Sequence, residues 1–235
     1  MLRWIAVVAL ALVAGFGGAA AWSYSGLGHE ATRDYLLENP EFLPEAIEEL
    51  QRRQMAEMLD PLRIELEAPY PGAVLGNPNG TLTLVEFSDY ACGYCRQSLG
   101  DVEALITANP DLRVVIRELP VLSPQSVEAA RMALAAAQQG KFEPFHKAMY
   151  TKDTLSAENI AAAAAEAGVD LATAQAAIEQ GQFERQLQNN YALAQQLGFT
   201  GTPSWVIGNE VMNGAVGRAR IAEAIETTRS AAEAL

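Results

Sequence analysis

Both cysteines of this chain, Cys92 and Cys95, belong to one tetrapeptide of sequence Cys-Gly-Tyr-Cys. The residues before it, 81–88, alternate in a way that predicts a strand, and residues 96–108 predict a helix. The pair therefore lies where a strand ends and a helix begins. Two thiols at this spacing, with no other cysteine to pair with, indicate a dithiol that exchanges electrons.

Further strand signals indicate that this junction belongs to a domain of the α/β class. Residues 112–119 predict a second strand, most simply parallel to the first with a right-handed crossover. Two more strands are predicted at 204–207 and 210–213, followed by a helix over 217–232. These elements form two halves, which we expect to share one sheet.

A long helical segment separates the two halves. Residues 126–197 are rich in alanine, and breaks are predicted near Gly140, Gly168 and Gly181. This segment is far longer than an ordinary connection between strands. We therefore expect a helical insertion over about residues 124–197 within a domain that covers residues 74–235.

The N-terminal segment, residues 1–25, has a basic start at Arg3 and an apolar stretch from Trp4 to Trp22. This pattern is typical of an export signal, with cleavage predicted after Ala21. It is also long enough for an uncleaved membrane anchor, which needs about 20 residues; a buried helix is a third interpretation. The first two predict a periplasmic or extracytoplasmic protein, where disulfides persist.

Residues 29–66 predict an acidic, two-helix arm interrupted by prolines. Ile47, Leu50 and Met58 fall roughly on one face of its second helix. An isolated arm cannot bury this stripe by itself. It must pack against the main domain or against another copy of the chain. Residues 68–80 predict a turn-rich lead-in.

The formal net charge of −13 argues against a nucleic-acid partner, because binding phosphates requires clustered Lys and Arg. The simplest explanation of this negative charge is that it keeps the protein soluble.

The position of each cysteine suggests its role. Cys92 would begin the helix, where free backbone N–H groups and the helix dipole favour a thiolate. Cys95, one turn later, would be more buried and would resolve a mixed disulfide. Gly93 would let a partner backbone approach, whereas Tyr94 brings no formal charge.

Glu86 lies in the predicted strand, six residues before Cys92. Both faces of this strand carry apolar residues, which favours burial of Glu86. A buried carboxyl has a raised pKa and is suited to move a proton for Cys95. The alternative is an exposed carboxylate near the end of the strand. Asp89 is interpreted as a turn or helix-entry residue.

The two cysteines have two alternative interpretations, a zinc site and a structural disulfide. A zinc site would need two further ligands, and only His29 and His146 are available, in unrelated segments. His146 is more simply a packing residue of the insertion. A purely structural disulfide would close a loop too short to remove much chain entropy. We expect neither a metal nor a cofactor.

Thr202 and Pro203 open the return strand, where a proline is tolerated. A cis bond at this position would expose the preceding backbone for pairing with an extended substrate. An ordinary loop proline is the alternative.

The strand and cysteine segment, residues 85–95, resembles the DsbA family of thiol–disulfide oxidoreductases, as does the Gly-Thr-Pro-Ser sequence at 201–204. The resemblance implies a thioredoxin fold with an inserted helical domain. It also implies that Cys92 is the nucleophile, Cys95 the resolving thiol and Glu86 the buried acid. Thr202 and a cis Pro203 would then shape the substrate groove. The Gly-Tyr dipeptide between the cysteines departs from the Pro-His of strongly oxidising members.

The arm, over residues 29–53, and the lead-in at 74–80 are similar to proteins of the suppressor-of-copper-sensitivity C (ScsC) type. This likeness implies an N-terminal helical arm that joins several chains into an oligomer. An arm folded onto its own domain is the alternative.

The sequence thus predicts an exported oxidoreductase or isomerase that exchanges disulfides with exported proteins and has a membrane redox partner. A module that handles copper through the same dithiol is the second hypothesis.

Overall fold

The computed structural model describes residues 27–233, together with positions 4, 11, 15, 16 and 18. Apart from those isolated positions, the predicted export signal or anchor over residues 1–25 lies outside the described residues. Within the described residues, no helix combines the length and hydrophobicity needed to cross a bilayer. The chain divides into two compact units, Met1–Gln54 and Met55–Leu235.

The described part of the first unit is helical. Helix α1 (Leu27–Glu38) is followed by α2 (Phe42–Leu59), and Pro40 lies between them, as predicted. The Asn39 side-chain amide donates to the carbonyl oxygen of Tyr35 at 2.8 Å and closes the first helix. Six large apolar side chains of these two helices are exposed: Tyr35, Leu37, Phe42, Leu43, Ile47 and Leu50.

The second unit contains a five-stranded sheet in the order β1-β3-β2-β4-β5. Its strands are β1 (Val74–Gly76), β2 (Leu82–Ser88), β3 (Leu112–Glu118), β4 (Ser204–Ile207) and β5 (Glu210–Asn213). The central pair, β2 and β3, is parallel as predicted, and the other neighbours are antiparallel. Strand β1 was not predicted, because three residues are too few to show alternation.

The helices of this unit are α3 (Arg63–Glu67), α4 (Gly93–Ala108), α5 (Pro124–Gln138), α6 (Phe142–Tyr150), α7 (Ala157–Glu166), α8 (Leu171–Glu179), α9 (Glu184–Gln196) and α10 (Arg218–Glu233). Helices α5 to α9 form the predicted insertion between β3 and β4. Gly140, Gly168 and Gly181 have positive φ at the predicted breaks, which suits glycine because it lacks a Cβ. A further break at 151–156 was missed; it ends where Ser156 caps α7.

Strand β2 is buried along its whole length, so each of its faces contacts its own core. Leu84 and Ile116 belong to the core that also contains Cys95 and much of the insertion. Val85 and Phe87 belong to a smaller core on the opposite face. Because side chains alternate along a strand, Glu86 shares the face of Leu84 and points toward the side of the sheet that carries Cys95.

Candidate active site

The first cysteine occupies the N-cap of α4. Cys92 has extended backbone angles, φ −81° and ψ 116°, and Gly93 is the first helical residue. A Cβ added at Gly93 would meet only open space, and the side chain of the next residue, Tyr94, is 63% exposed. A partner backbone could therefore approach the first turn of α4.

The two cysteines differ in exposure in the predicted order, with Cys95 the more buried. Cys92 is 8% exposed and Cys95 is 1% exposed. Cys92, which must reach solvent to react as a thiolate, is therefore also largely covered. The reason is a loop from the other half of the sheet: the Cys92 thiol donates to the carbonyl oxygen of Thr202, at 3.1 Å.

That loop contains the Thr202–Pro203 peptide bond, which is cis, as the family resemblance implies. The Ser204 hydroxyl donates to the carbonyl oxygen of Gly201 at 2.8 Å, and the backbone N–H of Gly214 donates to that of Pro203 at 2.9 Å. The hydroxyl of Thr202 is buried and has no hydrogen-bond partner among the residues that the structure describes. These backbone and Ser204 hydrogen bonds hold the loop in place. Within the described part of the chain, the Thr202 hydroxyl is left without a partner beside the cysteines.

Asp89 was predicted to be a turn or helix-entry residue, and its carboxylate in fact bonds to two separate loops. One carboxylate oxygen accepts from the backbone N–H of Ala91 at 2.8 Å. The other accepts from the N–H groups of Val121 and Leu122, at 2.9 and 3.0 Å. Asp89 therefore ties the loop after β2 to the loop after β3. The second contact spans more than thirty residues, and no local pattern indicates it.

Glu86 is 3% exposed, which confirms its predicted burial. Burial raises its pKa to about 8, against a smaller lowering by a hydrogen bond with Ser88. Burial also raises the pKa of the Cys95 thiol, and the charge of Glu86 raises it further. An ionised Glu86 therefore makes the Cys95 thiol harder to ionise.

A group of polar side chains near the redox pair was not identified from the sequence. The Tyr90 hydroxyl lies 2.9 Å from Nδ1 of His146, and the hydroxyls of Ser88 and Tyr150 lie 2.9 Å apart. His146 was predicted to be a packing residue; it is buried, but it also bonds to the redox loop. Burial, and then the charge of Lys147, lowers its pKa to about 3, so the ring is neutral. The sequence signal that could have revealed this polar group is the spacing of His146 and Tyr150, which lie one turn apart on the same face of α6.

A metal site finds no support in the described part of the chain. No group of three or more His, Cys, Asp or Glu residues there could hold a metal ion. His146 instead contacts Tyr90, and the side chain of His29 lies outside those described. Within the described residues, the zinc alternative therefore lacks a set of ligands.

Two family models match the chain. A model described as Thioredoxin matches residues 70–227. A model described as Copper resistance protein ScsC N-terminal domain matches residues 29–57. The first covers the sheet, the cysteine pair and the insertion, and the second covers most of the two N-terminal helices.

Solved structures of similar fold include a thioredoxin-like oxidoreductase from Silicibacter pomeroyi. It is 40% identical, with 67% of this chain and 91% of that chain covered and a TM-score of 0.64. The thiol–disulfide exchange protein α-DsbA2 from Wolbachia pipientis is 25% identical, with 76% and 97% covered and a TM-score of 0.67. A Proteus mirabilis ScsC variant is 26% identical, with 85% and 92% covered and a TM-score of 0.65.

Curated relatives include the protein named Na(+)/H(+) antiporter NhaA of Herminiimonas arsenicoxydans, 28% identical over 219 residues. That match covers 90% of this chain and 35% of the relative. The chain thus spans about a third of that relative's length, and less of the others. The sheet, the cysteine pair at the N-terminus of α4 and the cis-proline loop agree with the family match, so this chain belongs to the thioredoxin family and resembles its ScsC-like and DsbA-like thiol–disulfide proteins.

Proposed function

We propose that this chain is an exported thiol–disulfide oxidoreductase or isomerase that acts through Cys92 and Cys95. The observation that carries the proposal is the meeting of three groups: Cys92 at the N-cap of α4, the cis-proline loop against its thiol, and a buried carboxyl on the side of Cys95. Free N–H groups and the helix dipole favour negative charge on a sulfur at this position. A dithiol is itself the redox group, so the reaction requires no cofactor.

In the reducing direction, the Cys92 thiolate attacks one sulfur of a substrate disulfide. A Cys92–substrate disulfide forms, and the other substrate sulfur leaves with the electron pair and takes a proton from water. The Cys95 thiol then gives its proton to the ionised carboxylate of Glu86, and its thiolate attacks the Cys92 sulfur. The Cys92–Cys95 disulfide forms and the second substrate sulfur is released, so the substrate is reduced and the protein is oxidised. Disulfide formation in a substrate is the reverse sequence.

The substrate would lie extended between the cis-proline loop and the first turn of α4. Thr202 and Pro203 would form one side of this groove, and Gly93 and Tyr94 the other; the contact of Cys92 with Thr202 and the exposure of Tyr94 support this arrangement. We expect exported proteins with thiols or disulfides as substrates and a membrane redox partner to reset the dithiol. The export pattern of residues 1–25 supports this location, and one similar protein, from Salmonella enterica, is described as periplasmic.

The N-terminal helices would join chains into a homo-oligomer through residues 29–66. The exposed apolar side chains of this region support the proposal, because a stripe such as Leu43, Ile47 and Leu50 is typical of a helix that packs against a partner. Several active sites held around one substrate would favour disulfide reshuffling.

Two assays test the proposal: reduction of insulin and reactivation of scrambled ribonuclease. We expect the chain to accelerate at least one of them and Cys92→Ala to lose that acceleration completely. Equal turnover by the two proteins would reject the proposal.

The copper hypothesis is supported only by the description of the N-terminal family model. Titration of the reduced protein with Cu(I), followed by native mass spectrometry, separates it from disulfide exchange. Tight stoichiometric binding that Cys92→Ala abolishes, in a chain inactive in both assays, would favour the copper-handling module.

A further inference from the structure

A second buried carboxyl lies on the same face of the sheet as Glu86. In the parallel pair of β2 and β3, Glu86 is opposite Ile116 and Ser88 is opposite Glu118. Residues opposite each other in a sheet point to the same side. Glu118 therefore shares the face of Glu86, one strand across and two positions further along. The usual strand rise and spacing place the two Cα atoms roughly 8 Å apart.

The side chain of Glu118 is sealed from solvent. The residue is 1% exposed, and its Oε1 is fully buried without a hydrogen-bond partner among the described residues. An ionised carboxylate in such a place would lack both water and a donor at one oxygen, which strongly disfavours the charged form. The neutral acid is therefore the favoured form.

The groups around Glu118 give it no compensating positive charge. Burial raises its pKa well above the usual range; a hydrogen bond from Tyr90 lowers it, and the charges of Asp89 and Glu86 raise it. The Tyr90 hydroxyl also lies 2.9 Å from Nδ1 of the neutral His146, so it links this ring to the carboxyl.

Among the residues that the structure describes, no cation acts on the Glu118 carboxyl. Cys95 from α4 and Tyr150 from α6 are buried, and burial raises the pKa of each. From α9, the neutral Asn190 amide donates to the backbone carbonyl of Glu118 at 2.9 Å.

We propose that Glu118 and Glu86 form a coupled pair of carboxyls that holds at most one negative charge, with Glu118 as a positioning residue that acts on Cys95 through Glu86. Like charges this close inside a protein oppose each other's ionisation. Glu86 ionises first and accepts the Cys95 proton, while Glu118 keeps its own. If Glu86 could not ionise, Glu118 would become the first acid of the pair to lose a proton.

The inference rests on the proposed oxidoreductase function for its meaning, but its test does not depend on turnover. Infrared spectroscopy separates the carbonyl stretch of a protonated carboxyl from that of a carboxylate. Above about pH 6.5 ordinary surface carboxyls are ionised, so the remaining band reports buried acids. The reduced full chain would be titrated upward from that pH as wild type, Glu86→Gln, Glu118→Gln and the double variant.

We expect wild type to start with two protonated carboxyls, to lose one as the pH passes about 8, and to lose the other only at a clearly higher pH. Glu118→Gln should show only the first transition. Glu86→Gln should show one transition, at a lower pH than that of the persistent wild-type carboxyl, because the charge of Glu86 is gone. The double variant should show none.

Two outcomes would overturn the proposal. In the first, Glu118→Gln has the same infrared titration as wild type. In the second, the Glu118 carboxyl loses its proton at the same pH in Glu86→Gln as in wild type. Tyr90→Phe provides a second test if a glutamine variant does not fold: it removes a donor to Glu118, so the second transition should move to higher pH. An unmoved transition would contradict the assigned hydrogen bond and with it the proposal. If wild type showed the expected infrared titrations but failed to reduce insulin, that result would instead count against the proposed function.

Discussion

The thiol of Cys92 donates to the carbonyl oxygen of Thr202 across 3.1 Å, although 110 positions separate the two residues along the chain. This contact brings the strand–helix junction and the cis-proline loop into one site. A substrate that forms a disulfide with Cys92 must replace the thiol proton in this bond and pass beside the Thr202 backbone. The relationship therefore links the reactive sulfur with the surface that would orient its partner.

The division of labour between the cysteines predicts a trapped intermediate. In Cys95→Ala, the Cys92 thiolate should still attack a substrate disulfide and form the mixed disulfide as the other substrate sulfur leaves, but Cys95 is no longer there to resolve it. Close to one substrate per chain should accumulate, measured by mass spectrometry without reductant. Cys92→Ala is the matched control and should trap none; equal trapping by both variants would contradict the assigned roles.

Loss of the buried acid should slow resolution of the mixed disulfide. Glu86→Gln preserves the shape of the side chain but cannot accept the Cys95 proton. We expect the resolution step to slow by roughly 100-fold, the lower end of the range for general acid–base catalysis. Quenched-flow measurement of the mixed disulfide isolates this step. An unchanged rate would show that water, not Glu86, receives the proton.

Stability should fall with rising pH because of Glu86. Its folded-state pKa of about 8 lies above the ordinary value of 4.5. Between these values the folded state binds more protons than the unfolded state, so each added pH unit costs up to about 1.4 kcal/mol. Urea unfolding at several pH values should show a smaller decline for Glu86→Gln, and the variant should be the more stable protein at pH 8. Parallel curves for the two proteins would contradict the burial argument.

Assembly through the N-terminal helices is tested by charging their apolar stripe. Ile47→Glu combined with Leu50→Glu should reduce the oligomer to monomers, since both side chains would lose an apolar contact surface. Sedimentation equilibrium measures the subunit count. Gln51→Glu adds a charge at an exposed polar position of the same helix and should leave the assembly intact. A wild-type monomer, or an oligomer that survives the double change, would refute the proposed interface.

Arg117 should be far more important for stability than a surface arginine. Its guanidinium donates to the carbonyl oxygens of Glu65, Leu66 and Ala68 and to the Asn190 side chain, thereby joining α3, β3 and α9. Burial lowers its pKa to about 10, partly offset by Glu65, so it stays charged at neutral pH.

Arg117→Ala would leave several buried carbonyls unpaired, at a cost of about 2–4 kcal/mol in the free energy of unfolding. In contrast, Arg131→Ala removes a partly exposed pair with Glu184, 2.8 Å apart, and should cost about 1 kcal/mol or less. Urea denaturation compares the two variants. Similar losses would show that the Arg117 network contributes little.

The sequence by itself determined the elements and the reactive group. Residues 204–207 and 210–213 were predicted as strands with the observed bounds, because a Gly-Asn turn separates two short apolar runs. The position of Cys92 at the start of a helix followed from local signals of the same kind. Burial of Glu86 could be predicted because both faces of its strand are apolar.

Tertiary structure alone decided which distant groups surround the cysteines. Asp89 holds the loop that follows β3, and Tyr90 meets His146 from the insertion. Glu118 reaches the side of Glu86 only through the register of β2 with β3. Local patterns report helix and strand periodicity, whereas these contacts depend on how strands pair and helices pack over separations of thirty residues or more. That packing, by excluding water, also gives the buried carboxyls their altered acidity.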